Sequence, residues 1–111
     1  MSPRLRVKTS LTGCSNRLGE FELIAKYFAP LTEGSPGALG LTDDAAYLRV
    51  PAGHELVATV DALVESVHFL RDDPPATIGA KALRVNLSDL AAKGAVPLGY
   101  LLALSLPAWV D

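Results

Sequence analysis

The sequence lacks several features that mark particular classes of protein. It has a single cysteine in 111 residues, which excludes a disulfide framework and a cysteine-built zinc site. Its net charge of -2 provides no basic field for nucleic acid or an anionic membrane. Its longest apolar stretch, residues 98–110, is interrupted by Ser105 and Pro107 and is shorter than the roughly 20 residues of a membrane-spanning helix. We therefore expect a cytoplasmic protein with no nucleic-acid or membrane partner.

Two common nucleotide-binding motifs are also missing. The absence of a G-x-x-x-x-G-K-S/T string excludes a P-loop NTPase. No G-x-G-x-x-G string lies between a predicted strand and helix, so a Rossmann site is unsupported. Half of the residues are hydrophobic and a fifth are charged, which is typical of one globular domain with a core.

Residues 1–18 differ from the rest of the chain in composition. They contain four basic residues and no acidic residue, together with several Ser and Thr. A transit peptide has a similar composition, but this segment has no apolar core and no sustained amphipathic period. We predict a disordered basic extension over 1–18, with a targeting segment as the alternative, and one folded domain over 19–111.

Apolar spacing and turn residues predict an α/β (α+β) domain with the element order α-β-β-α-β. Apolar residues recur at helical spacing over 21–28 until Pro30 stops the helix, and the Gly-rich residues 34–40 predict a loop. Strands are predicted over 45–50 and 55–63, with a turn at 51–54 between them.

The second helix and the last strand have stronger local signals. Asp73 is a suitable N-cap, with Pro74 at the first helical position. The helix is predicted to run to Lys93 and to end at Gly94, because glycine commonly follows a helix. Residues 99–106 are apolar on both faces, which predicts a central strand.

Two carboxylates are expected to face each other across the first hairpin. With residues 51–54 as the loop, the register places Asp44 opposite Asp61. Such a like-charge pair destabilises a hairpin unless a cation lies between its members. Thr59 is on the same strand face as Asp61, and its hydroxyl could add an oxygen ligand for Mg²⁺. The alternatives are a solvated strand end with splayed charges, or a one-residue slip that moves Asp61 to the other face.

Asp89 and His68 are further candidates. Asp89 lies late in the second helix, where the helix dipole disfavours a negative charge, so it either joins the metal site or pairs with Lys93 four residues later. His68 follows the second predicted strand and either contacts an anionic or hydroxyl-bearing substrate or makes an ordinary loop hydrogen bond. No residue is identified as a strong general base, and no catalytic residue is assigned.

Four strings together resemble one family, the thiamine-monophosphate kinases. They are GEFELI at 19–24, GLTDDAA at 40–46, TVDALVESVHF at 59–69 and NLSDLAAKGAVP at 86–97. The last string recurs across the wider superfamily that includes aminoimidazole ribonucleotide synthetase and selenophosphate synthetase. The G-E-F and V-H-F strings narrow the resemblance to the kinases.

The resemblance implies Mg²⁺-dependent transfer of the ATP γ-phosphoryl group to thiamine monophosphate, which gives thiamine diphosphate. It implies metal ligands at Asp44, Thr59, Val60, Asp61 and Asp89. It also implies that His68 contacts the substrate. Val60 stands where the family usually has a threonine, so only its backbone carbonyl could serve as a ligand. Thr42 and Ser66 replace glycines of the family pattern.

The implied fold is the N-terminal domain of the aminoimidazole ribonucleotide synthetase-like fold, a mixed sheet with helices on one face that dimerises through the sheet. Family chains are longer, so we expect this chain to be an N-terminal part without the C-terminal domain. One alternative is a non-catalytic dimerising fragment. Another is selenophosphate synthetase, which would require a reactive cysteine or an equivalent residue near its N-terminal loop, whereas Cys14 lies outside the matched region.

Overall fold

A computed structural model describes residues 4–10 and 18–107 of the chain. The described residues divide into two compact units, one of residues 4–10, 18–49 and 98–107 and the other of residues 50–97. Helices and strands are both present, in agreement with the predicted α/β class. In the described part of the chain, no helix is long and apolar enough to cross a membrane.

The strands of the first unit form a parallel pair. β1 (Arg4–Ser10) pairs with β2 (Gly99–Ser105), with Arg4 opposite Gly99. β2 confirms the strand predicted over 99–106. Its exposure alternates, however, and the Leu101 side chain is 70% exposed. Within the described residues β1 is its one partner strand, so the central position predicted for β2 is not observed.

β1 lies inside the segment 1–18 for which disorder is predicted, and the structure has a strand at residues 4–10 of that segment. The remainder of 1–17 lies outside the described residues. The overlooked signal is the alternation of Leu5, Val7 and Thr9 with basic residues, a period of two that is typical of strands. Composition alone conceals this period.

A series of helical turns follows β1 in the first unit. It consists of α1 (Glu20–Leu23), a π-helical segment (Ile24–Phe28) and two 3-10 segments (Ala29–Thr32 and Pro36–Leu41). The backbone N–H of Gly19 donates to Glu22 Oε2 at 2.9 Å and thereby satisfies a donor at the start of α1. The helical turns continue past Pro30, although a stop is predicted there. Pro30 lies in the first turn of the 3-10 segment Ala29–Thr32, where an N–H would have no partner within the helix, so the proline is tolerated there.

The described buried residues lie in the two 3-10 segments and between them. Thr32, Ser35 and Ala38 are buried, and Ala38 is only 2% exposed. A 3-10 segment therefore replaces most of the loop predicted over 34–40. The predicted apolar face of the first helix contributes less to the buried core, because the side chain of Phe21 is 84% exposed.

Residues 45–50 and 55–63 belong to no strand in the part of the chain that the structure describes. The predicted turn between them is present, with a hydrogen bond from the N–H of His54 to the carbonyl of Pro51 at 3.2 Å and a positive φ at Gly53. The predicted hairpin is not formed. Strand geometry requires a hydrogen-bonded partner as well as a suitable residue pattern.

The second unit is built on α2 (Pro75–Ala92), which confirms the predicted helix. Pro74 rather than Asp73 is the N-cap, and Asp73 Oδ2 instead accepts a hydrogen bond from the N–H of Leu70 at 2.8 Å. The end of α2 agrees with the prediction. Gly94 has a φ of +65°, its N–H bonds to the carbonyl of Ala91, and the next N–H bonds to the carbonyl of Leu90. These two bonds form a Schellman motif.

Candidate metal and substrate site

One hydrogen bond joins two of the predicted metal ligands. Thr59 Oγ1 donates to Asp89 Oδ2 at 3.1 Å, although the residues are 30 positions apart in the sequence. Thr59 lies in residues 55–63, the extended segment between the turn at 51–54 and the turn at 64–69, and is half-buried, whereas Asp89 is exposed on α2. The described hydrogen-bond partner of the Asp89 side chain is thus Thr59, whereas the alternative given by the sequence was an ion pair with Lys93.

The spacing of these two oxygens fits a magnesium ion. Mg²⁺ prefers octahedral coordination at 2.0–2.1 Å, so neighbouring oxygen ligands at right angles are about 2.9 Å apart. The 3.1 Å between Thr59 Oγ1 and Asp89 Oδ2 is close to that separation. A hydroxyl and a carboxylate are also oxygen donors of the kind that Mg²⁺ selects. The pair could therefore occupy two adjacent positions around one ion.

Val60 and Asp61 continue the same extended segment and are exposed. The side chain of Val60 is 92% exposed and has no polar atom, so its carbonyl is the only group that it could offer to a metal. The carboxylate of Asp61 is exposed to solvent. Both residues lie in the unit of residues 50–97 together with Thr59 and Asp89.

Asp44 belongs to the other unit, at a bend after the second 3-10 segment. Its neighbour Asp43 accepts a hydrogen bond from the N–H of Ala45 through Oδ1 at 3.0 Å, which shapes this bend. Because the hairpin is not formed, the register argument that places Asp44 opposite Asp61 fails. Among the described residues, no group of three or more His, Cys, Asp or Glu side chains is arranged to hold a metal. A site shared by Asp44, Asp61 and Asp89 stays a prediction.

His68 is held in a tight turn at residues 64–69. The backbone N–H of Val64 donates to His68 Nδ1 at 3.0 Å, and the N–H of His68 donates to the carbonyl of Val64 at 2.9 Å. The N–H of Ser66 donates to the carbonyl of Phe69 at 2.7 Å and closes the other side of the turn. His68 therefore makes hydrogen bonds within a loop, as the alternative interpretation predicts. Its contact with a substrate stays a prediction.

The bond to Val64 also fixes the tautomer of His68. Because a backbone N–H can only donate, Nδ1 accepts and the proton of the neutral ring lies on Nε2. His54 is the opposite case, since its Nδ1 lies 3.1 Å from the carbonyl oxygen of Ala52 and must donate to it. The exposed ring of His68 thus presents an N–H donor, which suits an anionic or hydroxyl-bearing ligand.

Lys81 contacts the same turn and was not identified from the sequence. It lies on α2, and its ammonium group donates to the main-chain carbonyl of His68. No local pattern indicates this contact, because the two residues are 13 positions apart and the acceptor is a backbone atom.

The comparison with protein families matches residues 42–111 to the family model described as AIR synthase related protein, N-terminal domain. This match includes every predicted site residue. The chain belongs to this family. No solved structure matches the chain.

Several curated relatives carry the name thiamine-monophosphate kinase. The protein from Caulobacter vibrioides is 51% identical over 92 residues, which are 83% of this chain and 26% of the relative. The Escherichia coli K12 protein is 47% identical over 98 residues, which are 84% of this chain and 30% of the relative. The Synechococcus elongatus protein is 48% identical over 93 residues, or 83% of this chain and 27% of the relative. The resemblance seen in the sequence is confirmed, and the chain spans less than a third of the length of these relatives.

Proposed function

We propose that this chain contributes the N-terminal, metal-binding part of a kinase that transfers the γ-phosphoryl group of ATP to thiamine monophosphate. The relatives that bear this name support the reaction, and the family match supports the domain. The single observation that carries the metal-binding role is the hydrogen bond between Thr59 and Asp89.

The proposed metal site consists of Asp44, Thr59, the carbonyl of Val60, Asp61 and Asp89. Bound Mg²⁺ would neutralise and orient the phosphate oxygens on which phosphoryl transfer depends. A hydrogen bond holds the Thr59 hydroxyl and the Asp89 carboxylate close together, which favours their use as neighbouring ligands of one ion. His68 would donate from Nε2 to thiamine monophosphate and orient it. No side chain is assigned as a general base, because positioning and charge neutralisation are the main requirements of this chemistry.

Calorimetric titration of Mg²⁺ into the purified chain tests the metal site. Thr59→Val removes the hydroxyl at nearly constant volume, and Asp89→Asn removes the charge; each should weaken binding about tenfold or more. Thr59→Ser keeps the hydroxyl and should bind nearly as well as wild type. Thr77→Val is the matched control, since the Thr77 hydroxyl donates to the carbonyl of Pro74. Equal Mg²⁺ affinity of wild type, Thr59→Val and Asp89→Asn would contradict the proposal.

Formation of thiamine diphosphate from ATP and thiamine monophosphate tests the reaction itself. We expect the 111-residue chain to turn over very slowly by itself, because transition-state stabilisation requires all the charge-neutralising groups to be present at once. Loss of one preorganised group costs on the order of 100–1000-fold in rate. The assay should therefore be run with and without a full-length thiamine-monophosphate kinase as partner. Turnover by the chain alone at the rate of the full-length enzyme would contradict the proposed dependence on further residues.

We also propose that the chain forms a homodimer through its sheet, in the cytoplasm. An apolar side chain, that of Leu101, is exposed on β2, and Val57 and Val60 are exposed in residues 55–63. Pairing with a second copy would add strands to the two-stranded sheet of the described residues and would complete the predicted mixed sheet. Sedimentation at micromolar concentration should give a dimeric mass, and a monomeric mass would count against this assembly.

A further inference from the structure

The turn at residues 64–69 is connected to α2 by one long side chain. Lys81 reaches from the helix to the main-chain carbonyl of His68, within the unit of residues 50–97. The other described bonds of the turn are internal to it, and they join Val64 to Val67 and His68, and Ser66 to Phe69. Those bonds give the turn its shape but do not fix it on the helix.

We infer that Lys81 is a positioning residue for His68. By anchoring the His68 carbonyl to α2, the ammonium group keeps the backbone N–H of Val64 directed at His68 Nδ1. The ring then has a single tautomer and presents Nε2–H outward. The significance of this orientation for substrate rests on the proposed function, in which His68 contacts thiamine monophosphate.

The backbone of the turn explains why an anchor is needed. Ser66 has a φ of +65°, in the left-handed region that glycine adopts readily and other residues do not. The turn is therefore strained, and its few internal hydrogen bonds oppose that strain. A charge-assisted hydrogen bond from a regular helix of 18 residues adds a restraint that originates outside the strained segment.

The two histidines of the chain allow a direct test, because they have opposite tautomers in the structure. Long-range ¹H–¹⁵N spectra of the neutral rings distinguish an Nε2–H ring from an Nδ1–H ring. His54 thus serves as an internal reference in every sample. Hydrogen exchange of the Val64 amide reports the same contact from its donor side.

Lys81→Met keeps the length of the side chain and removes the donor. We expect the His68 signals to shift towards a mixture of tautomers, and the Val64 amide to exchange about two- to tenfold faster, the range expected for loss of one hydrogen bond. Lys81→Arg keeps a cationic donor and should restore the wild-type pattern. Lys93→Met is the matched control, because Lys93 is at the opposite end of α2 and should leave both histidines unchanged.

Wild-type His68 signals and wild-type Val64 exchange in Lys81→Met, with helix content preserved by circular dichroism, would overturn the inference. Failure of Lys81→Arg to restore the pattern would also overturn it, since loss of helix packing rather than loss of the donor would then be responsible. None of these measurements uses a substrate. Addition of thiamine monophosphate to the wild-type chain tests the His68 contact separately, so the proposed function and the role of Lys81 can fail independently.

Discussion

Two parts of the unit of residues 50–97 contribute to the candidate site, and they are specified in different ways. The turn at 64–69 and α2 are fixed by short-range hydrogen bonds, by a Schellman motif and by the Lys81 contact. The extended segment 55–63 contains Thr59, Val60 and Asp61, and its one described side-chain hydrogen bond to another segment is that of Thr59 with Asp89. The first part carries its own restraints, whereas the second takes its position from α2.

The largest expected effect is a loss of unfolding free energy at the end of α2, in the part of the unit that its own hydrogen bonds restrain. Gly94 has a φ of +65° and open space around the position of a Cβ atom, so Gly94→Ala should cost about 1–2 kcal/mol in unfolding free energy through backbone strain alone. Gly79→Ala is the matched control in the same helix. Gly79 also has open space around it, and alanine is the better helix former, so stability should rise by about 0.8–1 kcal/mol. Urea unfolding of both variants should give changes of opposite sign.

The two replaced family glycines provide the next test. Ser66 has a φ of +65°, so Ser66→Gly should stabilise the turn by about 1 kcal/mol through relief of strain. Thr42 has a φ of -90°, and its Oγ1 donates to the carbonyl of Leu39 at 2.8 Å. Thr42→Gly should therefore destabilise the chain by about 0.5–1 kcal/mol, through lost hydrogen bonding and added backbone freedom. Stabilisation by both glycines, or by neither, would show that backbone conformation does not govern these positions.

The sequence predicts the parts of the fold that local signals decide. Prolines before α2 and Gly94 after it bound the helix, and the apolar run bounds β2, so both were located to within about two residues. β1 also has a local signal, the alternation of apolar and basic residues, but the basic composition of residues 1–18 concealed it. Residues 45–50 and 55–63 have the strand pattern but no described strand partner, and a single sequence contains no information about such a partner.

The candidate site likewise contains contacts that the sequence could indicate and contacts that it could not. Thr59 and Asp89 are joined by a hydrogen bond, whereas their role as metal ligands stays a prediction. The spacing argument for Asp44 and Asp61 depended on a hairpin that is not formed. Lys81 could not be found from the sequence, because a contact between a side chain and a distant backbone carbonyl imposes no residue pattern.

A smaller effect is expected in the extended segment. Val60→Thr restores the residue usual in the family at a side chain that is 92% exposed, so unfolding free energy should change by less than about 0.5 kcal/mol. The added hydroxyl should nevertheless tighten Mg²⁺ binding, as measured by calorimetry. Val60→Ala is the control and should change neither quantity. A large loss of stability in either variant would show that the segment is packed more firmly than its exposure indicates.

The smallest effect concerns the other unit, at Tyr100 on β2. Burial raises the pKa of the Tyr100 hydroxyl above its ordinary value of 10.0, because partial removal from water disfavours the phenolate. A group with a raised folded-state pKa favours the folded state fully while it is neutral, below the unfolded pKa. That contribution is lost as the pH rises through the folded pKa.

The effect is small because the side chain is only half-buried and solvent screens most of it. Tyr100→Phe cannot ionise, so the difference in unfolding free energy between wild type and Tyr100→Phe should be constant below about pH 9 and should move against wild type above about pH 10. A difference that stays flat across this range would show that the Tyr100 hydroxyl is as well hydrated in the folded chain as in the unfolded one.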